Sequence, residues 1–298
     1  MNDKIAVIGA GTMGSGIAQI AVEAGFSVTL VDTEQAFLDR GIGNIKTFIE
    51  KKAQKGKITP DQARGILGKL SGTTNLAEAV QGTVMVVEAV FEKLELKRDI
   101  FKKIDILCPK DVILASNTST LSISGLAGAT RNPERVIGTH YFSPVPLMRL
   151  VEVIRGKETS ETTTMRTIEI CRAFGKTPIV VKDIPGFIVN RFLCLLYNEA
   201  ANMIYNGSAS AQDIDMAMKL GCNWPMGITE IIDLAGVDVC YYAIEAMYEM
   251  TREERYKPSE LFRDMVDKGL LGRKTGKGFY EYGPGSKAGR PGEKEGAL

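Results

Sequence analysis

The sequence predicts an α/β protein: a mostly parallel, doubly wound sheet followed by an all-α C-terminal domain. Three observations predict it. Short apolar runs alternate with amphipathic helical stretches as far as Val181. A glycine-rich turn joins the first run to the first helix. Beyond Phe187 the strand signals stop, and each remaining periodic segment is helical.

Ile5 to Ile8 is an apolar run suited to a parallel strand buried on both faces. It leads into Gly9-Ala10-Gly11-Thr12-Met13-Gly14, then a helix through Ile17, Ile20, Ala21 and Ala24 that ends near Gly25. Ser27 to Val31 is a second strand, closed by Asp32. This βαβ unit carries the G-x-G-x-x-G fingerprint of a Rossmann-type dinucleotide site. Gly9 makes the tight turn, Gly11 lets a pyrophosphate approach the backbone, and Gly14 lets helix and strand pack closely. The pyrophosphate would meet the positive end of the helix. Asp32 can accept bonds from ribose hydroxyls and would repel a 2′-phosphate, so NAD is the expected cofactor.

Glu34 to about Gly56 reads as a long helix with a basic end: Lys46, Lys51, Lys52, Lys55 and Lys57. Those lysines suit a solvated face beside the helix C-terminus, or a dock for a phosphorylated handle. Thr59-Pro60-Asp61 starts another helix with a cap and a proline at its first position. Thr83 to Val90 is a buried strand, followed by Phe91, Glu92 and a helix over Leu94 to Leu107. Lys97, one turn in, reads first as a surface lysine and second as a cofactor contact. Val112 to Ala115 is a strand that empties into Ser116-Asn117-Thr118-Ser119. Four polar side chains exceed what one helix cap needs, so a ligand contact is favoured over a cap, for which Ser122 or Ser124 would serve.

The chain has one histidine, His140. It lies near the end of a strand reading Arg135 to Phe142, which Pro144 and Pro146 stop. Ligands of open α/β sheets bind at strand carboxyl ends, and histidine is the residue type that titrates nearest neutrality. Leu147 to Ile154 is the next strand, where Glu152 shares a face with Met148, Leu150 and Ile154. A carboxylate in an apolar row needs a partner: Arg149, Arg155, or His140 on a neighbouring strand. Ser160 to Phe174 is a helix and Thr177 to Val181 the last strand.

Asp183-Ile-Pro-Gly186 breaks the pattern, which places the domain boundary at 184/185. Helices follow over Phe187–Tyr205, Ala211–Leu220, Ile228–Leu234, Asp238–Met250 and Ser259–Lys268, with Asn190 in the first turn of the first. A glycine-punctuated loop spans Gly272 to Tyr280, and the tail, 284–298, is expected to be disordered. The helical domain, 185–283, is too small to carry a large core of its own, so it is expected to bury apolar surface in a homodimer.

Composition narrows the function. Lys+Arg is 37 and Asp+Glu is 36, so no global field points to nucleic acid or a membrane surface. Five scattered cysteines without a C-x-x-C pair suit reduced thiols, and one histidine leaves no metal site to expect. The N-terminus enters a strand at once, unlike a secretory signal, and no apolar run approaches a membrane span. A cytoplasmic enzyme is expected.

Taken in order, GAGTMG, VVEAVFE, SNTS, HYFSPVPLM, LVEV, PGFIVNR, MKLG and KTGKGFY resemble the short-chain L-3-hydroxyacyl-CoA dehydrogenases over residues 4 to 282. The resemblance implies reversible hydride transfer at C3 of an acyl-CoA, with 3-hydroxybutyryl-CoA and acetoacetyl-CoA as the expected pair. It implies His140 as catalytic base, Glu152 as its orienting carboxylate, and Ser119 with Asn190 on the reacting oxygen. It assigns the cofactor to Gly9, Gly11, Thr12, Met13, Gly14, Asp32, Ala89, Glu92, Lys97, Asn117 and Lys274. It raises Lys51, Lys52 and Lys55 as holders of the CoA phosphates. Three rivals remain: another NAD-dependent β-hydroxyacid or sugar-acid dehydrogenase, a non-catalytic NAD- or CoA-binding relative, and one module of a fused fatty-acid oxidation enzyme, whose hydratase partner would be a separate chain.

Overall fold

The computed structural model describes residues 3–283; the expected disordered tail at 284–298 lies outside them. The chain divides into two units, one running through Phe187 and the other beginning at Ile188.

The first unit contains, in order, β1 (Lys4–Ile8), α1 (Thr12–Glu23), β2 (Ser27–Val31), α2 (Gln35–Gln54), α3 (Pro60–Leu67), β3 (Leu70–Thr73), α4 (Leu76–Ala79) and β4 (Thr83–Glu88). It continues with α5 (Leu94–Leu107), β5 (Ile113–Ser116), α6 (Ile123–Ala127), β6 (Val136–Tyr141), β7 (Leu150–Arg155), α7 (Glu161–Ala173) and β8 (Thr177–Lys182). Among the described residues the strands form one eight-stranded sheet, ordered β3-β2-β1-β4-β5-β6-β7-β8. Each pairing is parallel except β6 with β7. The apolar runs are explained by the two cores. Ile5 and Val7 of β1 enter one, while Ala6 and Ile8 enter the other across the sheet. Successive side chains on a strand point to opposite faces, so burial on both faces demands an unbroken apolar run.

The chain order reverses between β1 and β4, which makes their carboxyl ends the topological switch point. Two elements go beyond the sequence reading. β3 is an edge strand of Leu, Ser, Gly and Thr, with neither alternation nor a buried run. α4 is a four-residue helix capped by Asn75, too short to show a period.

The second unit is helical: α8 (Val189–Tyr205), α9 (Ala211–Gly221), α10 (Ile228–Ala235), α11 (Val237–Thr251) and α12 (Glu260–Asp267). Ile232, Ile244, Phe262 and Tyr256 centre its core. Asp233 accepts from the amides of Phe279 and Tyr280 at 3.0 Å and from the Tyr282 hydroxyl at 2.9 Å, fastening the glycine-punctuated loop. Among the described residues no helix is long and apolar enough to cross a membrane, and no cluster of metal-ligating side chains occurs.

Candidate active site

The glycine turn has the shape a dinucleotide requires. Gly9 sits at φ +101°, and a Cβ there would stand 2.7 Å from the Ala89 carbonyl oxygen of the strand next door. A Cβ on Gly14 would meet the Gly9 carbonyl at 1.8 Å, so α1 can start this close to β1 only with glycine. Gly11 is the N-cap of α1 and supplies no side-chain cap, and a Cβ built on it meets nothing within 4 Å. A helix start with no side-chain cap and open space beside it suits a pyrophosphate. Asp32 Oδ2 accepts from the Ala10 amide at 2.8 Å, which ties the acid at the end of β2 to the turn. A carboxylate oxygen takes more than one donor, so Asp32 can also receive ribose hydroxyls. These residues fit NAD.

The serine-rich turn is held by a charged cluster. Glu92 Oε1 accepts from Thr118 Oγ1 at 2.5 Å, Ser119 N at 2.8 Å, Thr120 N at 3.0 Å and Thr120 Oγ1 at 3.1 Å. Burial would raise the Glu92 carboxyl, but Lys97 and these donors outweigh it and hold it below its usual value. Asn117 Oδ1 accepts from the Tyr141 amide at 3.0 Å, joining the turn to the end of β6. Ser122 caps α6 through the Gly125 amide, as one of the two expected candidates.

Lys97 differs from its first reading. It is fully buried rather than on the surface. Its ammonium meets Glu88 Oε1 at 2.7 Å and Glu92 Oε2 at 3.3 Å. Glu88, the last residue of β4, escaped the sequence reading because it closed an apolar run. An acid at the end of a doubly buried strand was the available signal.

His140 and Glu152 stand opposite each other in the β6–β7 ladder. Directly opposed residues put their side chains on one face, and here Nδ1 lies 2.7 Å from Glu152 Oε2. Both side chains are buried, at 6% and 0% exposure. A carboxylate accepts, so Nδ1 carries the proton and the neutral ring presents the Nε2 lone pair. Phe142 and Phe187 wall the ring, at centroid distances of 4.5 and 5.7 Å. Arg155, an alternative partner for Glu152, instead pairs with Glu161 at 2.7 Å. The turn after His140 is anchored by Lys176, whose Nζ donates to the carbonyls of Val145 and Met148. Burial lowers the Lys176 pKa, opposed by Cys171.

The structure thus brings His140 and Glu152 together, and places Glu92, paired with Lys97, on the turn bearing Asn117 and Ser119. Ala89 backs Gly9, and Thr12 and Met13 open α1. Asn190, in the first turn of α8, and Lys274 belong to the second unit. Lys274 Nζ there contacts both Asp238 carboxylate oxygens, at 2.5 and 2.6 Å. Of the three candidate lysines at the end of α2, Lys52 is already engaged: its Nζ lies 2.6 Å from Glu23 of α1. Lys51, on α2, and Lys55, its C-cap, are exposed.

A glycine turn shaped for a pyrophosphate and a histidine paired with a carboxylate on one sheet suit an NAD-dependent dehydrogenase. Residues 4–184 match the family described as 3-hydroxyacyl-CoA dehydrogenase, NAD binding domain, and residues 186–282 match its C-terminal domain. The chain belongs to the 3-hydroxyacyl-CoA dehydrogenase family. It is 45% identical over 279 residues to a probable 3-hydroxybutyryl-CoA dehydrogenase of Deinococcus radiodurans, covering 94% of this chain and 100% of that one. It is 41% identical to the mitochondrial hydroxyacyl-coenzyme A dehydrogenase of Mus musculus, over 93% and 90% of the two chains. The solved (S)-3-hydroxybutyryl-CoA dehydrogenase of Ralstonia eutropha superposes with a TM-score of 0.91 at 40% identity, covering 95% of this chain and 100% of that one.

Proposed function

We propose that this chain interconverts (S)-3-hydroxyacyl-CoA and 3-oxoacyl-CoA with NAD, acting on 3-hydroxybutyryl-CoA and acetoacetyl-CoA. The observation that carries the reading is the buried His140–Glu152 pair, with Nδ1 committed to the carboxylate at 2.7 Å. Bound NAD supplies the acceptor for the hydride that leaves C3. His140 Nε2 takes the proton of the 3-hydroxyl in the same conversion, and returns it to the developing alkoxide in the reverse direction. Glu152 opposes the positive charge that the ring gains, and holds the ring with Nε2 toward substrate. The Ser119 hydroxyl donates to the reacting oxygen, a role the resemblance extends to Asn190. Lys51, on α2, and Lys55, its C-cap, are assigned to the CoA phosphates.

The assay is NADH oxidation with acetoacetyl-CoA, acetoacetate and a free β-keto sugar acid. Turnover with the thioester alone is expected. Turnover with the free acids, or none with the thioester, would rule the reading out. The helical unit is assigned to a homodimer, supported by Phe192, Leu220 and Tyr242, which are 64%, 80% and 56% exposed. Sedimentation at the monomer mass alone would refute the dimer.

A further inference from the structure

We propose that Glu88 is a positioning residue: through Lys97 and Glu92 it fixes the turn that presents Ser119. The inference rests on the reading of Ser119 as a donor to the reacting oxygen.

Glu88 is completely buried at the carboxyl end of β4, and both its carboxylate oxygens are used. Oε1 accepts from the Val90 amide and from Lys97 Nζ, each at 2.7 Å. Oε2 accepts from Ser116 Oγ at 2.6 Å, and the Glu88 carbonyl accepts from the Asn117 amide at 2.7 Å. One residue therefore grips both segments that leave the sheet at this point: the Val90–Glu92 loop and the start of the serine turn.

Lys97 carries the restraint outward. Its ammonium also donates to the Val90 carbonyl at 3.2 Å and lies 3.3 Å from Glu92 Oε2. Glu92 then gathers Thr118, Ser119 and Thr120 onto its other oxygen. The path from rigid sheet to the Ser119 backbone is thus a short series of charge-assisted bonds, each directional. Burying an ion pair is a poor route to stability, since a well-packed apolar pair fills the same space at lower desolvation cost. What charged partners supply and apolar ones do not is one fixed orientation, here of Glu92. Without the Glu88 charge, the Lys97 ammonium keeps a single carboxylate partner, Glu92, whose side chain is 37% exposed. The ammonium then shifts toward solvent, and Glu92 with its turn shifts with it.

The test is a double-mutant cycle on acetoacetyl-CoA reduction with wild type, Glu88→Gln, Ser119→Ala and the double variant. Glu88→Gln is expected to lower kcat about 10- to 100-fold, and Ser119→Ala about 100-fold, the scale for one oxyanion donor. The double variant is expected within about 3-fold of Ser119→Ala alone, because both changes remove the same alignment. If the two losses multiply in full, or Glu88→Gln turns over like wild type, the proposal is overturned while the reading of Ser119 stands. Wild-type turnover in Ser119→Ala overturns that reading and the proposal with it. Should Glu88→Gln fail to fold, Glu88→Asp, which keeps the buried charge but shortens its reach to Lys97, takes its place in the cycle, judged by the same outcomes.

Discussion

Buried carboxylates are held in two different ways in the two units. In the sheet unit they face basic side chains: Glu88 meets Lys97, Asp105 meets Arg135 at 2.8 Å, and Glu152 meets His140. In the helical unit Glu230 also pairs with a cation, Lys219, whereas Asp215 and Asp233 take their hydrogen bonds from neutral donors. Asp215 accepts from Thr229 N and Oγ1 at 2.7 and 2.6 Å, from Glu230 N at 3.1 Å and from the Tyr280 hydroxyl at 2.8 Å. Neutral amides and hydroxyls do not titrate near neutrality, so such a site fixes structure and nothing else. A carboxylate opposite an imidazole holds a group that can gain and lose a proton in each turnover. The difference separates chemistry from architecture, and single substitutions can break it.

The largest effect is expected at His140. His140→Asn keeps a polar side chain of similar size but removes the base, and kcat should fall about 1000-fold, within the range for a positioned acid–base group. Thermal stability should stay within a few degrees of wild type. A folded His140→Asn protein with turnover within 10-fold of wild type, taken as roughly the floor for general acid–base catalysis, would remove the basis of the comparison.

Asp215→Asn is the matched change in the other unit. It keeps one acceptor oxygen but turns an amide NH2 toward groups that are themselves donors, and should cost about 2–3 kcal/mol of stability. For a chain of this size that lowers Tm by several degrees, at roughly 2–4 °C per kcal/mol. The kcat of the folded fraction should not change. A large loss of kcat with an unchanged Tm would mean that neutral-donor sites also serve the chemistry.

How far these sites were legible depends on whether a local pattern carried them. The βαβ start was legible because Ile5 to Ile8 and Gly9 to Gly14 each have a local steric reason to be what they are. Glu152 was legible because an acid in an apolar row must find a partner, and antiparallel pairing put His140 opposite it. Lys97 was not, since the partner that buries it lies nine residues back on another element. Lys52 looked the same as Lys51 and Lys55 in sequence. Yet the buried stripe of α2, Leu38, Gly41, Ile45 and Ile49, reaches Lys52 at its next step, and that spacing marks it as the lysine that faces α1. β3 lacked any signal because an edge strand can hold its place by backbone pairing alone.

Acid titration sharpens the comparison with a smaller effect. Burial would raise the Asp105 carboxyl, but Arg135, the Arg131 amide and Asn132 hold it well below the usual carboxylate range. A depressed folded-state pKa gives stability that is present above the unfolded value of 3.8 and lost as pH falls through the folded value. Asp233 is the opposite case. Burial outweighs its amide and hydroxyl donors and the nearby Arg273 and raises it above 3.8, so its contribution is fullest in acid and declines as pH rises through the folded value. The stability gap between wild type and Asp105→Asn should therefore widen from acid toward neutral pH, by on the order of 1–2 kcal/mol. The gap to Asp233→Asn should narrow over the same titration. Urea unfolding at several pH values reads both slopes, and slopes of the same sign would show that the cation makes no difference.

The smallest effect is expected at the end of α2, where the same distinction applies to cations. Lys52 already has Glu23 at 2.6 Å with both side chains under a third exposed, so its charge is spoken for. Lys51 and Lys55 are exposed and belong to the basic end of the helix, where a phosphate can reach them. Lys51→Ala and Lys55→Ala should raise KM for acetoacetyl-CoA while leaving kcat alone, the pattern for lost uniform binding, by about 3- to 10-fold for whichever meets a CoA phosphate. Raising the salt concentration should shrink that difference, because exposed charges are screened. Lys52→Ala should leave KM unchanged and cost at most about 1 kcal/mol of stability, the scale of a partly exposed ion pair. If Lys52→Ala alone raises KM, Glu23 is a resting partner that the CoA phosphates displace, and an ion pair on this face does not mark a structural lysine.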